Sequence, residues 1–114
     1  MQIHYLEIVT PDVDATCRAL AKLHGATFSA PEAGLGNART AKLGHGGRIG
    51  VRAPMHASEE PVVRPYVLVK DIDAAAKAVT ATGGEIAHPP MEIPGHGKFA
   101  IYIQGGIHHG LWQV

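Results

Sequence analysis

The chain of 114 residues is poor in several residue types, and each shortage argues against a class of protein. A single cysteine, Cys17, excludes an intramolecular disulfide and a zinc site built from cysteines. Basic and acidic residues number ten each, so no excess positive charge is available to attract a nucleic acid backbone. No hydrophobic run approaches the roughly 20 residues that a transmembrane helix needs. We therefore expect one cytoplasmic domain that binds neither nucleic acid nor membrane.

The residues that are present form a pattern that occurs twice. Asp12 corresponds to Asp71, and Gly25 corresponds to Gly84, so each match has a spacing of 59 residues. A period of this length leaves room for only two copies in the chain. We therefore predict a duplicated supersecondary unit whose two copies share one core.

The first copy begins with an alternating, β-branched segment at Gln2–Thr10, which predicts a strand. A helix is predicted to follow, capped by Asp12 and running to about Leu23, with Gly25 as its C-terminal stop. Three short strands are expected next, at Ala26–Ser29, Arg39–Leu43 and Arg48–Ala53.

The second copy has the same order, with a strand at Val62–Val69 and a helix at Asp71–Thr82. Its three later strands are predicted at Glu85–Ala87, Lys98–Ile103 and His108–Val114. The segment from Pro89 to Gly97 is rich in proline and is expected to be a protruding loop. The chain thus reads as two βαβββ units, residues 1–56 and 62–114, joined by a linker at 57–61.

Two local sequences carry a resemblance to a known family. They are Tyr-Val-Leu-Val-Lys-Asp-Ile-Asp-Ala-Ala, from Tyr66 to Ala75, and Gly-Leu-Trp-Gln, from Gly110 to Gln113. With the duplicated βαβββ order, they resemble the glyoxalase/bleomycin-resistance-like branch of the vicinal oxygen chelate superfamily, which also contains extradiol dioxygenases and methylmalonyl-CoA epimerases. The resemblance implies an α+β fold in which the tandem units form a cup-shaped, partly open mixed β-sheet barrel with helices outside.

In metal-binding members of this superfamily, His, Gln or Glu side chains on the first and last strands of each unit bind a divalent cation. With Asp12 and Asp71 as anchors, the corresponding positions in this chain are Tyr5, Gly50, Arg64 and Gly110. None of these residues is a usual ligand for such a cation, because glycine has no donor atom and arginine is permanently positive. We therefore expect no metal ion and no other cofactor.

Strand alternation then predicts which side chains line the cup. The predicted lining consists of Tyr5, Glu7, Arg48, Arg52, Arg64, Tyr66, His108 and Trp112. Aromatic walls with a few charges are typical of small-molecule sites. Tyr5, Arg48, Arg52, Arg64, Tyr66 and Trp112 are the candidate ligand-binding residues.

Several of these residues have a second interpretation. Glu7 and Arg64 could form a structural ion pair, because buried charges are usually paired; otherwise Arg64 is suited to a ligand carboxylate. Trp112 could equally be a core residue. His108 and Glu7 are the candidate catalytic residues, since an imidazole can exchange a proton near neutral pH.

The sequence leaves two main functions open, besides the weaker possibility of a structural or accessory subunit with no ligand. We favour a metal-free, homodimeric protein that binds a planar or anionic organic molecule, and drug sequestration as in bleomycin-binding relatives is one form of this. The alternative is a lyase, isomerase or dioxygenase-type enzyme that uses Glu7 and His108, with or without a displaced divalent metal.

Overall fold

A computed structural model describes residues 1–114 and confirms an α+β fold with seven strands and two α-helices. The elements are β1 (Ile3–Val9), α1 (Val13–His24), β2 (Arg39–Lys42), β3 (Arg48–Arg52), β4 (Val62–Leu68), α2 (Ile72–Ala81), β5 (Glu85–Ile93), β6 (Gly97–Gln104) and β7 (Ile107–Gln113). No helix is long and apolar enough to cross a membrane. The chain divides into two compact units, residues 5–63 (the N-terminal unit) and residues 1–4 with 64–114 (the C-terminal unit).

The N-terminal unit contains a mixed sheet with the strand order β2-β3-β1. β1 runs parallel to β3, and β2 runs antiparallel to β3. α1 packs on β3 and buries Cys17, whose pKa is raised by desolvation. Gly25 ends this helix in the left-handed conformation, as predicted, and its N–H donates to the carbonyl of Ala21 at 2.9 Å.

Two local predictions for this unit are wrong. Asp12 precedes α1, but its side chain makes no capping hydrogen bond, whereas the corresponding Asp71 accepts from the N–H groups of Asp73 and Ala74. Ala26–Ser29 is not a strand, because Ser29 N–H makes a single backbone hydrogen bond to β2, at the carbonyl of Thr40. The N-terminal unit is therefore βαββ, with a short 3₁₀ helix at Ala33–Leu35 before β2.

The C-terminal unit has the complete βαβββ order, and its strands are arranged β4-β7-β6-β5. β4 is parallel to β7, while β5, β6 and β7 pair antiparallel. α2 packs on this sheet through a core formed by Ile72, Val79, Ala100 and Leu111.

Most of the proline-rich segment belongs to a strand, and only residues 94–96 form a turn in place of the predicted protruding loop. β5 runs through Pro89 and Pro90 as far as Ile93 and pairs with β6 as an edge strand. Proline is tolerated at an edge because its missing N–H can face away from the partner strand. Register shifts on both sides of His88 accommodate the two prolines.

Candidate functional site

One face of the N-terminal sheet carries most of the polar side chains of its three strands, and we call it the polar face. Tyr5 pairs with Arg48 and Glu7 pairs with Gly50 across β1 and β3, while Lys42 pairs with Arg48 across β2 and β3. Because alternate residues of a strand share a face, the register defines the set: Tyr5, Glu7, Thr40, Lys42, Arg48 and Arg52. The structure thus brings four predicted site residues, Tyr5, Glu7, Arg48 and Arg52, onto one face.

Arg52 lies at the centre of a buried ion-pair network. Its Nε donates to Glu7 Oε2 at 2.8 Å, and its two terminal nitrogens donate to the two carboxylate oxygens of Glu59 at 2.9 and 2.8 Å. Only 7% of the Arg52 side chain is exposed. A guanidinium that already binds two carboxylates is poorly placed to bind an anionic ligand as well. The predicted ligand-binding role of Arg52 is therefore better described as structural support.

The network changes the acidity of its members. The hydrogen bond from Arg52, opposed in part by desolvation, lowers the pKa of Glu59 from 4.5 to about 2. A further hydrogen bond from the N–H of Met55, at 2.7 Å, acts in the same direction as Arg52. The hydrogen bonds to Glu59 and Glu7 raise the pKa of Arg52. Glu59 therefore stays ionised throughout the neutral range and holds residues 53–59 to the end of β3.

Arg48 is more accessible and has a different carboxylate partner. Its Nη2 donates to Glu32 Oε1 at 2.7 Å, and the Thr40 hydroxyl donates to the same oxygen at 3.0 Å. The Arg48 and Glu32 side chains are 39% and 27% exposed. Lys42 lies directly opposite Arg48 on the neighbouring strand, is exposed and makes no salt bridge. Two cations thus lie opposite each other, and a salt bridge to a carboxylate is formed by Arg48 but not by Lys42.

A cavity of about 710 Å³ adjoins this pair of cations. Its lining includes Phe28, Ser29, Thr40, Lys42, Leu43 and Arg48. Positive charge and a hydroxyl therefore occur beside an aromatic ring and an aliphatic side chain. This volume and mixture of groups are typical of small-molecule sites.

Tyr5 fills the space above Gly50. A Cβ atom built on Gly50 would overlap the Tyr5 hydroxyl, so the ring occupies the place where a side chain at position 50 would lie. Burial raises the pKa of the Tyr5 phenol, and the Glu7 carboxylate acts in the same direction. The phenol is therefore protonated at neutral pH and is a poor ligand for a cation.

The C-terminal unit also has a tyrosine side chain packed over a glycine of its last strand. Tyr66 packs over Gly110, and a Cβ atom on Gly110 would overlap the tyrosine ring. Trp112 lies edge-on to Tyr66 with ring centroids 5.6 Å apart, and its Nε1 donates to the carbonyl of His96 at 2.8 Å. Both predicted ligand-binding aromatics are buried within an aromatic cluster that also includes Phe99.

The two remaining predicted residues also lie in the C-terminal unit. Arg64 is buried on β4, and His108 is exposed near the start of β7. His88, on edge strand β5, stacks on Phe99 with ring centroids 4.7 Å apart. Phe99 was absent from the predicted set, although its register partner is Trp112 and the alternation of β6 would have placed it there.

Glu32, Lys42 and Glu59 are site residues that the sequence reasoning missed. Lys42 lies on the predicted strand Arg39–Leu43 and could have been found by pairing that strand with β3. Glu32 and Glu59 come from irregular segments, where no periodicity indicates the direction of a side chain. Glu59 lies in the predicted linker, which suggested an exposed residue.

The positions that would bind a metal in the superfamily do not fit one here. Gly50 and Gly110 have no donor atoms, and tyrosine rings occupy the space of the side chains they lack. Tyr5 is held in its protonated form and Arg64 is a cation. No group of three or more His, Cys, Asp or Glu side chains converges elsewhere in the chain.

Comparison with solved structures identifies the fold. Methylmalonyl-CoA epimerase from Mycobacterium tuberculosis superimposes on this chain with a TM-score of 0.76 at 15% identity. The match covers 97% of this chain and 86% of the epimerase. The chain has the same fold as this epimerase. A hypothetical protein from Bacillus halodurans C-125 matches 99% of this chain and 94% of its own, with a TM-score of 0.78 and 11% identity.

A third similar structure contains a ligand. It is a variant of Streptomyces coelicolor methylmalonyl-CoA epimerase in complex with 2-nitronate-propionyl-CoA, with a TM-score of 0.67 and 17% identity over 99% and 96% of the two chains. No protein-family model matches the sequence, and no curated protein matches it either. At these identities the likeness shows the fold alone.

Proposed function

We propose that this protein binds a small organic anion in the cavity beside Arg48 and Lys42, without a divalent metal ion. The observation that carries the proposal is the pair of opposed cations at the cavity wall. Like charges directly opposite each other on paired strands destabilise a sheet. Glu32 neutralises Arg48, whereas Lys42 makes no salt bridge, so a bound anion would supply the missing negative charge.

The apolar part of the cavity lining favours an organic ligand over a simple inorganic ion. Phe28 and Leu43 contribute apolar surface next to the charged side chains. A guanidinium can bind a carboxylate through two hydrogen bonds, and an aromatic ring can stack on a planar group. A planar molecule with one carboxylate, such as benzoate, is the simplest compound that could contact both the charged and the apolar side chains of the lining.

The absence of suitable metal ligands supports a binding mode based on arginine and lysine. In metal-binding relatives a cation attracts the oxygen atoms of the ligand, and in this chain fixed side-chain cations would take that electrostatic role. This part of the proposal predicts that chelators leave ligand affinity unchanged.

Titration with benzoate, followed by ¹⁵N NMR, tests the proposal. We expect shifts confined to the cavity lining, and Arg48→Met should weaken binding about tenfold or more, the effect of losing a charged hydrogen bond. Lys42→Met should weaken binding by a smaller factor because that ammonium is exposed. Lys22→Met is the matched control, since Lys22 is an exposed lysine on α1 outside the cavity lining. Affinity that is the same in all three variants would contradict the proposal.

Proton transfer is the second candidate function, and the fold of methylmalonyl-CoA epimerase favours it. Glu7 would be the proton acceptor, because it is a buried carboxylate on the polar face. Its ion pair with Arg52 would have to loosen first, which makes this the weaker candidate. Incubation with methylmalonyl-CoA in D₂O, followed by mass spectrometry, would detect exchange at the α-carbon. Exchange that disappears in Glu7→Gln would favour the enzyme.

A further inference from the structure

The segment between α1 and β2 places a carboxylate at the proposed anion site. Glu32 is not part of the sheet, yet its Oε1 accepts from Arg48 at 2.7 Å and from the Thr40 hydroxyl at 3.0 Å. Thr40 and Arg48 both line the cavity. The Glu32 carboxylate therefore already binds Nη2 of Arg48, one of the nitrogens that a ligand carboxylate could use.

The backbone of Glu32 is fixed by hydrogen bonds, while its side chain is partly exposed. Its N–H donates to the carbonyl of Ala38 at 2.9 Å, and its own carbonyl accepts from Leu35 and Asn37 at 3.0 and 2.9 Å. The side chain is 27% exposed. Displacement of the Glu32 side chain would not require these backbone hydrogen bonds to break.

We infer that Glu32 is an internal counter-ion for Arg48, and that an incoming anionic ligand must displace it. The inference rests on the function proposed above. A ligand carboxylate beside Arg48 and Lys42 would face the Glu32 carboxylate at close range if Glu32 stayed in place, and the two negative charges would repel each other. Glu32 therefore lowers the affinity of the site for every anion. Strong binding then requires additional contacts between the ligand and the apolar side chains Phe28 and Leu43.

Glu32→Gln tests the inference. Glutamine keeps the length and can still accept from the Thr40 hydroxyl, so the fold should be unaffected, while the charged competitor for Arg48 is lost. We expect benzoate to bind this variant about tenfold more tightly than the wild type, since a charged hydrogen bond no longer has to be broken. Glu60→Gln is the matched control, because it removes the same charge from an exposed residue of the same unit outside the cavity lining.

The inference and the proposed function fail in different ways. Tighter binding in Glu32→Gln but not in Glu60→Gln supports the inference, and adding Arg48→Met should then abolish the gain. Equal or weaker binding in Glu32→Gln, with wild-type binding still dependent on Arg48, overturns the inference and leaves the proposed function standing. Failure of both the wild type and Glu32→Gln to bind benzoate or inorganic phosphate overturns the proposed function and the inference with it.

Discussion

The Glu59–Arg52 ion pair makes a quantitative prediction about stability. Glu59 accepts two hydrogen bonds from the Arg52 guanidinium and a third from the N–H of Met55. Glu59→Gln keeps the shape of the side chain, removes its charge and turns an amide NH₂ group toward either the guanidinium or the backbone N–H. We expect this single change to destabilise the folded chain measurably at neutral pH.

The magnitude follows from the pKa of Glu59, which the hydrogen bond from Arg52 lowers from 4.5 to about 2. Each pKa unit corresponds to about 1.4 kcal/mol, so ionised Glu59 contributes at most about 3 kcal/mol to the free energy of unfolding. Because water still reaches the carboxylate and screens the pair, we expect about 2 kcal/mol.

The pH dependence has a definite sign. The pKa of Glu59 is lower in the folded chain than in the unfolded chain, so its contribution is complete above about pH 4.5 and is lost as the pH falls toward 2. Urea unfolding of the wild type and Glu59→Gln should therefore differ by about 2 kcal/mol at pH 7 and converge toward pH 2. Glu60→Gln, an exposed neighbour, should match the wild type at every pH.

Two results would refute this reasoning. If Glu59→Gln and Glu60→Gln were equally stable at pH 7, the ion pair would contribute nothing beyond an ordinary surface charge. If the stability deficit of Glu59→Gln stayed constant between pH 7 and pH 2.5, the loss would come from packing and not from the charge.

Three further predictions concern packing, metal content and assembly. Gly110→Ala and Gly50→Ala should each lower the free energy of unfolding by about 1–3 kcal/mol in urea denaturation, because a Cβ atom would overlap a tyrosine side chain. Gly44→Ala is the control and should not be destabilised, since the space around Gly44 is open. Equal stability of all three variants would contradict this prediction. Elemental analysis of purified protein should find no stoichiometric zinc, iron, nickel or manganese, and about one such ion per chain would overturn the expectation. Sedimentation equilibrium should give a homodimer, and a species of 12.0 kDa alone at micromolar concentration would exclude it.

The regular elements were predictable because their signals are local. Alternation identified β1, and the repeat of the same order identified β4. A three- and four-residue apolar spacing identified α1, and Gly25 marked the end of that helix. The same local rules failed where tertiary structure decides the outcome. Ala26–Ser29 lacks the ladder of hydrogen bonds that would make it a strand, and the prolines of β5 are tolerated because that strand lies at an edge.

The candidate site was predictable in part, for a related reason. Strand alternation placed Tyr5, Glu7, Arg48 and Arg52 on one face correctly. It could not show that Glu59 would neutralise Arg52 while Arg48 stayed accessible, because Glu32 and Glu59 reach the sheet from irregular segments. The sequence therefore identified the charged face but not which of its arginines could bind a ligand.

The two glycines at the positions that the resemblance assigned to metal ligands explain why this chain would not acquire a metal site through one substitution. Gly50 pairs with Glu7, and Gly110 pairs with Tyr66, in the same parallel register. Each copy therefore has a glycine at the equivalent position of its last strand. The covering ring differs, since it comes from Tyr5, two residues before Glu7, in one copy and from the paired Tyr66 in the other. A donor side chain at either glycine would require removal of that ring as well. Each unit thus needs at least two coordinated changes, whereas the proposed anion site uses an arginine and a lysine that are already present.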